Sequence, residues 1–434
     1  MQETDSIYST ITKEVPITVF CGDGTFHFGE KNFDLPFQIT CNAAKAYISF
    51  HSPFHCFDEF DGATFNGKLE DGRICNGCLF GDYNQQNSLM VANCSELMIG
   101  ESQSIHTIET VLLGFYFPHE FSFKFKDYEI AFSKSSTSQE LAQRTIRMSG
   151  TVSEGNFVTI SGSELEIDSA IDLLRDICLL IRPLTASEVY FGYMKCNNNT
   201  LIYSKKKMMG KLFGMRSNIL ESTHQYPDYL NRGLQKLETI DSFDKTSIID
   251  IGHALATSAA CGLMETGLLV LTTSLERLGQ KTVFENLNSD NSLQIKSILK
   301  QLKYFLKEQA KSFFDEHTDS FSDEQQNAIV KSISRIQPWD TAFVRKIKDH
   351  LIQNNWKIEI DFEKVKELRD SLAHSGMFPP NLSTKEAYEM QVQIEVFLLV
   401  HVLDLVGFEG RISSTKDGWA IFPWKSELKE GKTE

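Results

Sequence analysis

The hexapeptide Arg369-Asp370-Ser371-Leu372-Ala373-His374 is the segment of this chain best equipped for chemistry. An arginine offers a planar fork of donors to an anionic group, and an imidazole changes charge near neutral pH. The segment therefore pairs an anion holder with a proton carrier. Phe362, Val365, Leu368 and Leu372 mark an apolar stripe on the same predicted helix. At about 100° per residue, Arg369 falls roughly 20° from Phe362, at the stripe's edge. A cation there is costly unless it is paired or faces a wet groove. Arg369 and His374 are about 140° apart on a straight helix, so they do not share one face. They can act together only in a groove lined from both sides, such as a dimer cleft. Gly376 fits the end of that helix.

Other constellations are weaker. Cys75-Asn-Gly-Cys78, with His51, His55 and Cys56 upstream, offers enough nitrogen and sulfur ligands for a tetrahedral zinc site. Only one Cys-x2-Cys is present, in a segment that reads as strand and turn, so core thiols are the first reading and no metal is expected. His253, Cys261 and Met264 sit among Ala254, Ala256, Ser258, Ala259, Ala260 and Gly262, which suits close helix packing. No glycine-rich phosphate loop or serine-hydrolase signature occurs, and no cofactor is expected.

The elements that position these residues divide the chain. Thr25–Phe28, Ala46–Phe50, Phe121–Lys126 and Arg144–Met148 alternate apolar with polar residues, which predicts half-buried strands. Cys21-Gly-Asp-Gly24 and Phe65-Asn-Gly67 read as turns. Ser163-Glu-Leu-Glu166 resembles a capping box ahead of a helix carrying Ile167, Ile171, Leu174, Cys178 and Ile181, and Arg182-Pro183 is expected to end it. Strands follow at 188–193 and 200–203. Lys205-Lys-Lys207 opens a basic hinge at 205–216, read as a solvated linker. Beyond it the pattern is helical, with helices expected at 217–237, 247–280, 291–314, 322–335, 338–354, 361–374 and 384–406. Ser383 is placed to cap the last. The expectation is thus an α+β multidomain chain: a strand-rich domain with one helix over 1–204, the hinge, and an all-α helical bundle over 217–434.

Composition sets limits. The chain has 434 residues, 41% hydrophobic and 23% charged, which suits two or three globular domains. The acidic start, Met1-Gln-Glu-Thr-Asp5, lacks the basic and apolar regions of a signal peptide. The apolar run Val396–Leu403 is far short of the roughly 20 residues of a membrane span. Nine cysteines without an export signal fit reduced thiols and a cytoplasmic location. Residues 1–204 hold 13 basic against 26 acidic residues, and the remainder 30 against 32. The first half should repel a phosphate backbone, and the second can tolerate one locally.

Arg-x4-His, with a polar residue after the arginine and a glycine soon after the histidine, resembles the catalytic motif of HEPN-domain ribonucleases. A strand-rich region followed by such a domain is similar to ApeA-type antiviral defence proteins, which act by abortive infection. The helix with Thr272-Thr-Ser-Leu-Glu276 resembles the family's first core helix, where an acidic residue often faces the motif arginine. The family more often has asparagine where this chain has Asp370, which supplies an acceptor but no donors. The resemblance implies metal-independent endoribonuclease activity on single-stranded RNA, tRNA or mRNA. The ribose 2′-OH attacks the adjacent phosphate to give a 2′,3′-cyclic phosphate. Arg369, His374, Asp370 and Glu276 would be the site residues, a homodimer would complete it, and the N-terminal half would respond to a phage-derived trigger. The alternative from another class is a non-catalytic helical module that dimerises or binds a ligand.

Overall fold

The computed structural model describes residues 18–41, 46–51, 62–86, 89–100, 104–113, 120–133, 154–197, 200–203, 220, 223–287, 290–317, 320–334, 356, 358, 360–414 and 420–423. The strand expected at 144–148, the basic hinge at 205–216, the helix expected at 338–354, and His55 and Cys56 lie outside the described residues.

The alternating segments of the first half form strands β1 (Thr18–Phe28), β2 (Lys31–Cys41), β3 (Ala46–His51), β4 (Thr64–Leu69), β5 (Ile74–Gln86) and β6 (Leu89–Ile99). They pair antiparallel in the order β3-β2-β1-β4-β5-β6, and β3 also pairs with β6, which closes a six-stranded barrel. The sheet continues beyond β6 through β12 (Thr200–Tyr203), β11 (Tyr190–Cys196), β7 (Ile105–Leu113), β10 (Glu154–Leu165), β9 (Tyr128–Ser133) and β8 (Phe121–Phe125). Strand β6 serves both parts. Its residues Leu89–Asn93 seal against β3, while Leu97–Ile99 pair with β12. Between these halves the register against β5 shifts from Cys78–Glu96 to Leu79–Cys94, leaving Ser95 as a bulge that bends the strand from one partner to the other.

The barrel core is aromatic. The Phe26 ring lies 4.5 Å from that of Phe50 and 5.6 Å from that of Phe65, with Phe28, Phe37, Ile39 and Ile48 buried around them. Two segments expected as turns are strand interior instead: Cys21–Gly24 lies in β1 and Phe65–Gly67 in β4. Their glycines make room rather than reverse the chain. A Cβ on Gly67 would meet the Phe37 ring at 2.6 Å, and one on Gly77 would meet the Glu96 carbonyl at 2.5 Å and the Phe65 ring at 2.7 Å.

Eight helices follow among the described residues: α1 (Ile167–Thr185), α2 (Tyr226–Leu237), α3 (Ser242–Ala260), α4 (Met264–Leu287), α5 (Asp290–Glu316), α6 (Asp323–Ser334), α7 (Phe362–Ser375) and α8 (Thr384–Leu405). The capping box expected before α1 does not form. Ser163 belongs to β10, Glu166 makes no side-chain cap bond, and the helix runs past Arg182-Pro183 to Thr185. The helix expected at 247–280 is broken at Cys261, whose extended backbone separates α3 from α4.

The all-α C-terminal bundle is corrected by these findings. The described helices do not plainly form a bundle. Helices α2 and α3 pack on α1, beside the strands, and the chain after α8 forms a hairpin of β13 (Arg411–Ser414) and β14 (Ala420–Pro423). The physical reason is α1, whose side chains are buried without a break from Ile177 to Thr185. A helix apolar all round needs cover on every side. Gly233 of α2 and Gly252 of α3 supply it at close range: a Cβ there would meet Leu180 at 2.8 Å and Arg182 at 3.0 Å. The described residues up to Gly267, with those of 397–423, form one compact unit, and those of 268–396 form a second.

Gly77→Ala should cost about 1–3 kcal/mol, because a methyl group must push strand backbone as well as a ring. A fall in the denaturant midpoint with an unchanged slope measures it, and an unchanged midpoint would show that the barrel wall yields freely.

Candidate functional site

Helix α7 is built to hold Arg369 in place. Asp361 caps it, its carboxylate accepting from the amides of Glu363 and Lys364 at 3.2 Å each. Phe362, Val365, Leu368 and Leu372 are buried along one face. Gly376 ends the helix in the left-handed conformation, φ 69°, its amide donating to the Leu372 carbonyl. Beyond that end, Ser371 Oγ donates to the Met377 carbonyl at 2.8 Å and fixes the turn. On α4, Leu268, Leu271 and Leu275 are fully buried, and Glu276 follows at the edge of that face.

The two edges meet. Arg369 Nη2 donates to both Glu276 oxygens, at 2.8 and 2.6 Å, and Nη1 donates to Asp370 Oδ1 at 2.7 Å. The three side chains are about equally half-exposed, at 34% for Arg369, 40% for Glu276 and 41% for Asp370. The hydrogen bonds to Asp370 and then Glu276 raise the pKa of the guanidinium, so its charge is secure. Two carboxylates on one guanidinium leave the cluster net negative. His374 is apart from it. It lies in the last turn of α7, exposed, with no hydrogen-bond or ion-pair partner among the described residues. The structure thus brings Arg369, Asp370 and Glu276 together and leaves the imidazole to solvent.

The Cys-x2-Cys pair lies within β5. Cys75 stands opposite Ile99 and faces the barrel interior, fully buried, with burial pushing its thiol up to about 11. Three residues on, Cys78 faces outward, its Sγ 3.7 Å from Glu96 Oε2. Opposite faces of one strand do not close on a single ion at Zn–S distances of about 2.3 Å. Among the described residues no cluster of three or more potential ligands could hold a metal. No described helix is long and apolar enough to cross a membrane.

Sequence reasoning missed a second ionic cluster. Arg182, 1% exposed, reaches Glu188 Oε2 at 3.0 Å and the Val189 carbonyl at 3.4 Å. Its Nη1 also lies 3.2 Å from His253 Nε2, and His253 Nδ1 lies 2.6 Å from Glu188 Oε1. Nη1 can only donate, so Nε2 accepts and Nδ1 carries the proton donated to Glu188, the neutral tautomer. Burial lowers the pKa of the Arg182 guanidinium, and the Glu188 charge opposes that shift. The readable signal was an arginine within an otherwise unbroken apolar run, which demands a buried partner.

No protein-family model, no curated protein and no solved structure matches the chain.

Glu188→Ala should destabilise the protein by about 3–5 kcal/mol, because it strands a buried cation. Arg182→Met combined with Glu188→Leu should lose less than the single change. Equal midpoints for wild type and Glu188→Ala in chemical denaturation would show that the pair does not anchor α1.

Proposed function

We propose that the chain is an antiviral endoribonuclease of the second half, cutting single-stranded RNA at a site formed by Arg369 and His374. The observation that supports this most is Arg369 itself. It is a guanidinium held in fixed geometry at a helix edge, half-exposed, with an exposed imidazole five residues on. The resemblance of Arg-x4-His to HEPN-domain ribonucleases gives the reaction. The 2′-oxygen attacks phosphorus as a base takes its proton, the P–O5′ bond breaks, and an acid protonates the departing 5′-oxygen. The products are a 2′,3′-cyclic phosphate and a 5′-OH, with no metal in the step. Arg369 neutralises charge on the phosphate oxygens, and His374 moves a proton. The phosphate must first displace a carboxylate from the guanidinium, so Asp370 or Glu276 acts as a gate as well as a clamp. A second copy of the chain supplies the other half of the groove, since one helix holds Arg369 and His374 on different sides. The acidic first half restrains the nuclease until a phage-derived trigger engages it in the cytoplasm. tRNA is the leading substrate.

The same clamp favours a second reading. A guanidinium that two carboxylates already satisfy is also what a structural contact looks like, and a non-catalytic module for dimerisation or ligand binding would keep it.

Expression of wild type, Arg369→Ala and His374→Ala in bacteria under phage challenge separates the two. The nuclease reading expects loss of protection and at least about a hundredfold loss of RNA cleavage in either variant, with cyclic-phosphate ends in wild type only. Equal survival and intact RNA in all three would leave the structural reading. In mixed dimers of wild type and His374→Ala, full specific activity per chain would rule out a composite site.

A further inference from the structure

The outer wall of the barrel carries a cavity of about 470 Å³, within the range of small-ligand pockets. Strand register builds its floor in two rows. Asn66, Asn76, Met98 and Ile202 stand side by side across β4, β5, β6 and β12, and Thr64, Cys78 and Glu96 form the next row. Ile167 and Ile171, one turn apart at the start of α1, close the apolar side.

The polar groups are biased toward accepting. His27 Nδ1 lies 2.8 Å from Asn32 Oδ1 and so carries the proton, which leaves Nε2 to accept from Asn66 Nδ2 at 3.3 Å. Asn66 therefore retains its Oδ1 as an acceptor. The Asn76 side chain has no hydrogen-bond partner among the described residues, and Glu96 adds a carboxylate. Among the described residues no basic side chain lines the cavity, and the surrounding half of the chain is strongly acidic. An anionic ligand is excluded on both grounds. A carboxylate beside amide acceptors matches a planar fork of N–H donors, and the isoleucine and methionine wall matches the flat face behind that fork.

We infer that this cavity binds a small planar ligand presenting an amidine-type pair of N–H donors, the edge shared by a guanine base and a guanidinium group. The site stands whether or not the chain cuts RNA, and binding alone reads it out.

Calorimetric titration of the full chain with guanosine, and separately with agmatine, distinguishes the two sources of that edge. One-to-one saturable binding of either is expected. Glu96→Gln should weaken it at least tenfold. Asn76→Ala, which removes no side-chain hydrogen bond from the described fold, should weaken it several-fold and serves if Glu96→Gln proves unstable. Absence of binding by both compounds at millimolar concentration overturns the assignment, as does binding that both variants retain undiminished.

Discussion

Arg182 is the constraint around which the first compact unit is arranged. A cation with 1% exposure on an apolar helix is tolerable only if a carboxylate reaches it. That demand dictates the path of the chain after α1. The backbone must reverse within a few residues so that Glu188 returns to the helix it has just left. Ala186 does this in the left-handed conformation, φ 46°, an unusual state for a residue with a Cβ. Helix α3 must then come close enough for Gly252 to lie over the arginine and for His253 to bridge it to Glu188. One charge thus specifies a turn, a strand entry and a helix crossing. The net free energy of such a cluster is small, but alternative packings would leave it unpaired.

Local pattern was legible in the sequence, and long-range partnership was not. Period-two alternation located β1, β3 and β8, and helical phase placed Phe362, Val365, Leu368 and Leu372 on one buried face of α7. The Ser383 cap is present, reinforced by Glu386, whose carboxylate accepts from the Ser383 amide and hydroxyl. Alternation carries no information about which strand pairs with which. Barrel closure rests on β3 meeting β6 across some forty residues of chain, so it was invisible. Gly67 was misread for the same reason, since what calls for glycine there is the Phe37 ring contributed by another strand.

At the candidate site, helical phase gave Arg369's place at the edge of a buried face and its separation from His374. Nothing in spacing pointed to Glu276. It entered by family likeness, and the structure puts its carboxylate in bidentate contact with Arg369. Arg182 was readable in principle, because an arginine inside an apolar run is an uncompensated desolvation. Its partners, 6 and 71 residues away, were not.

The barrel also changes the character of the sheet that grows from it. An open sheet has two free edges, but here one end is consumed when β3 meets β6, and β8 is left as the outer strand of the described sheet. That strand is five residues long and carries Lys124, and α2 lies against it, with the Phe121 ring 6.2 Å from that of Tyr226. The covering helix is encoded about a hundred residues after the strand it protects. Strand β8 is therefore synthesised well before the helix that covers it, and strand-to-strand association between neighbouring copies has its opportunity until the ribosome has passed Leu237 and α2 has packed in place.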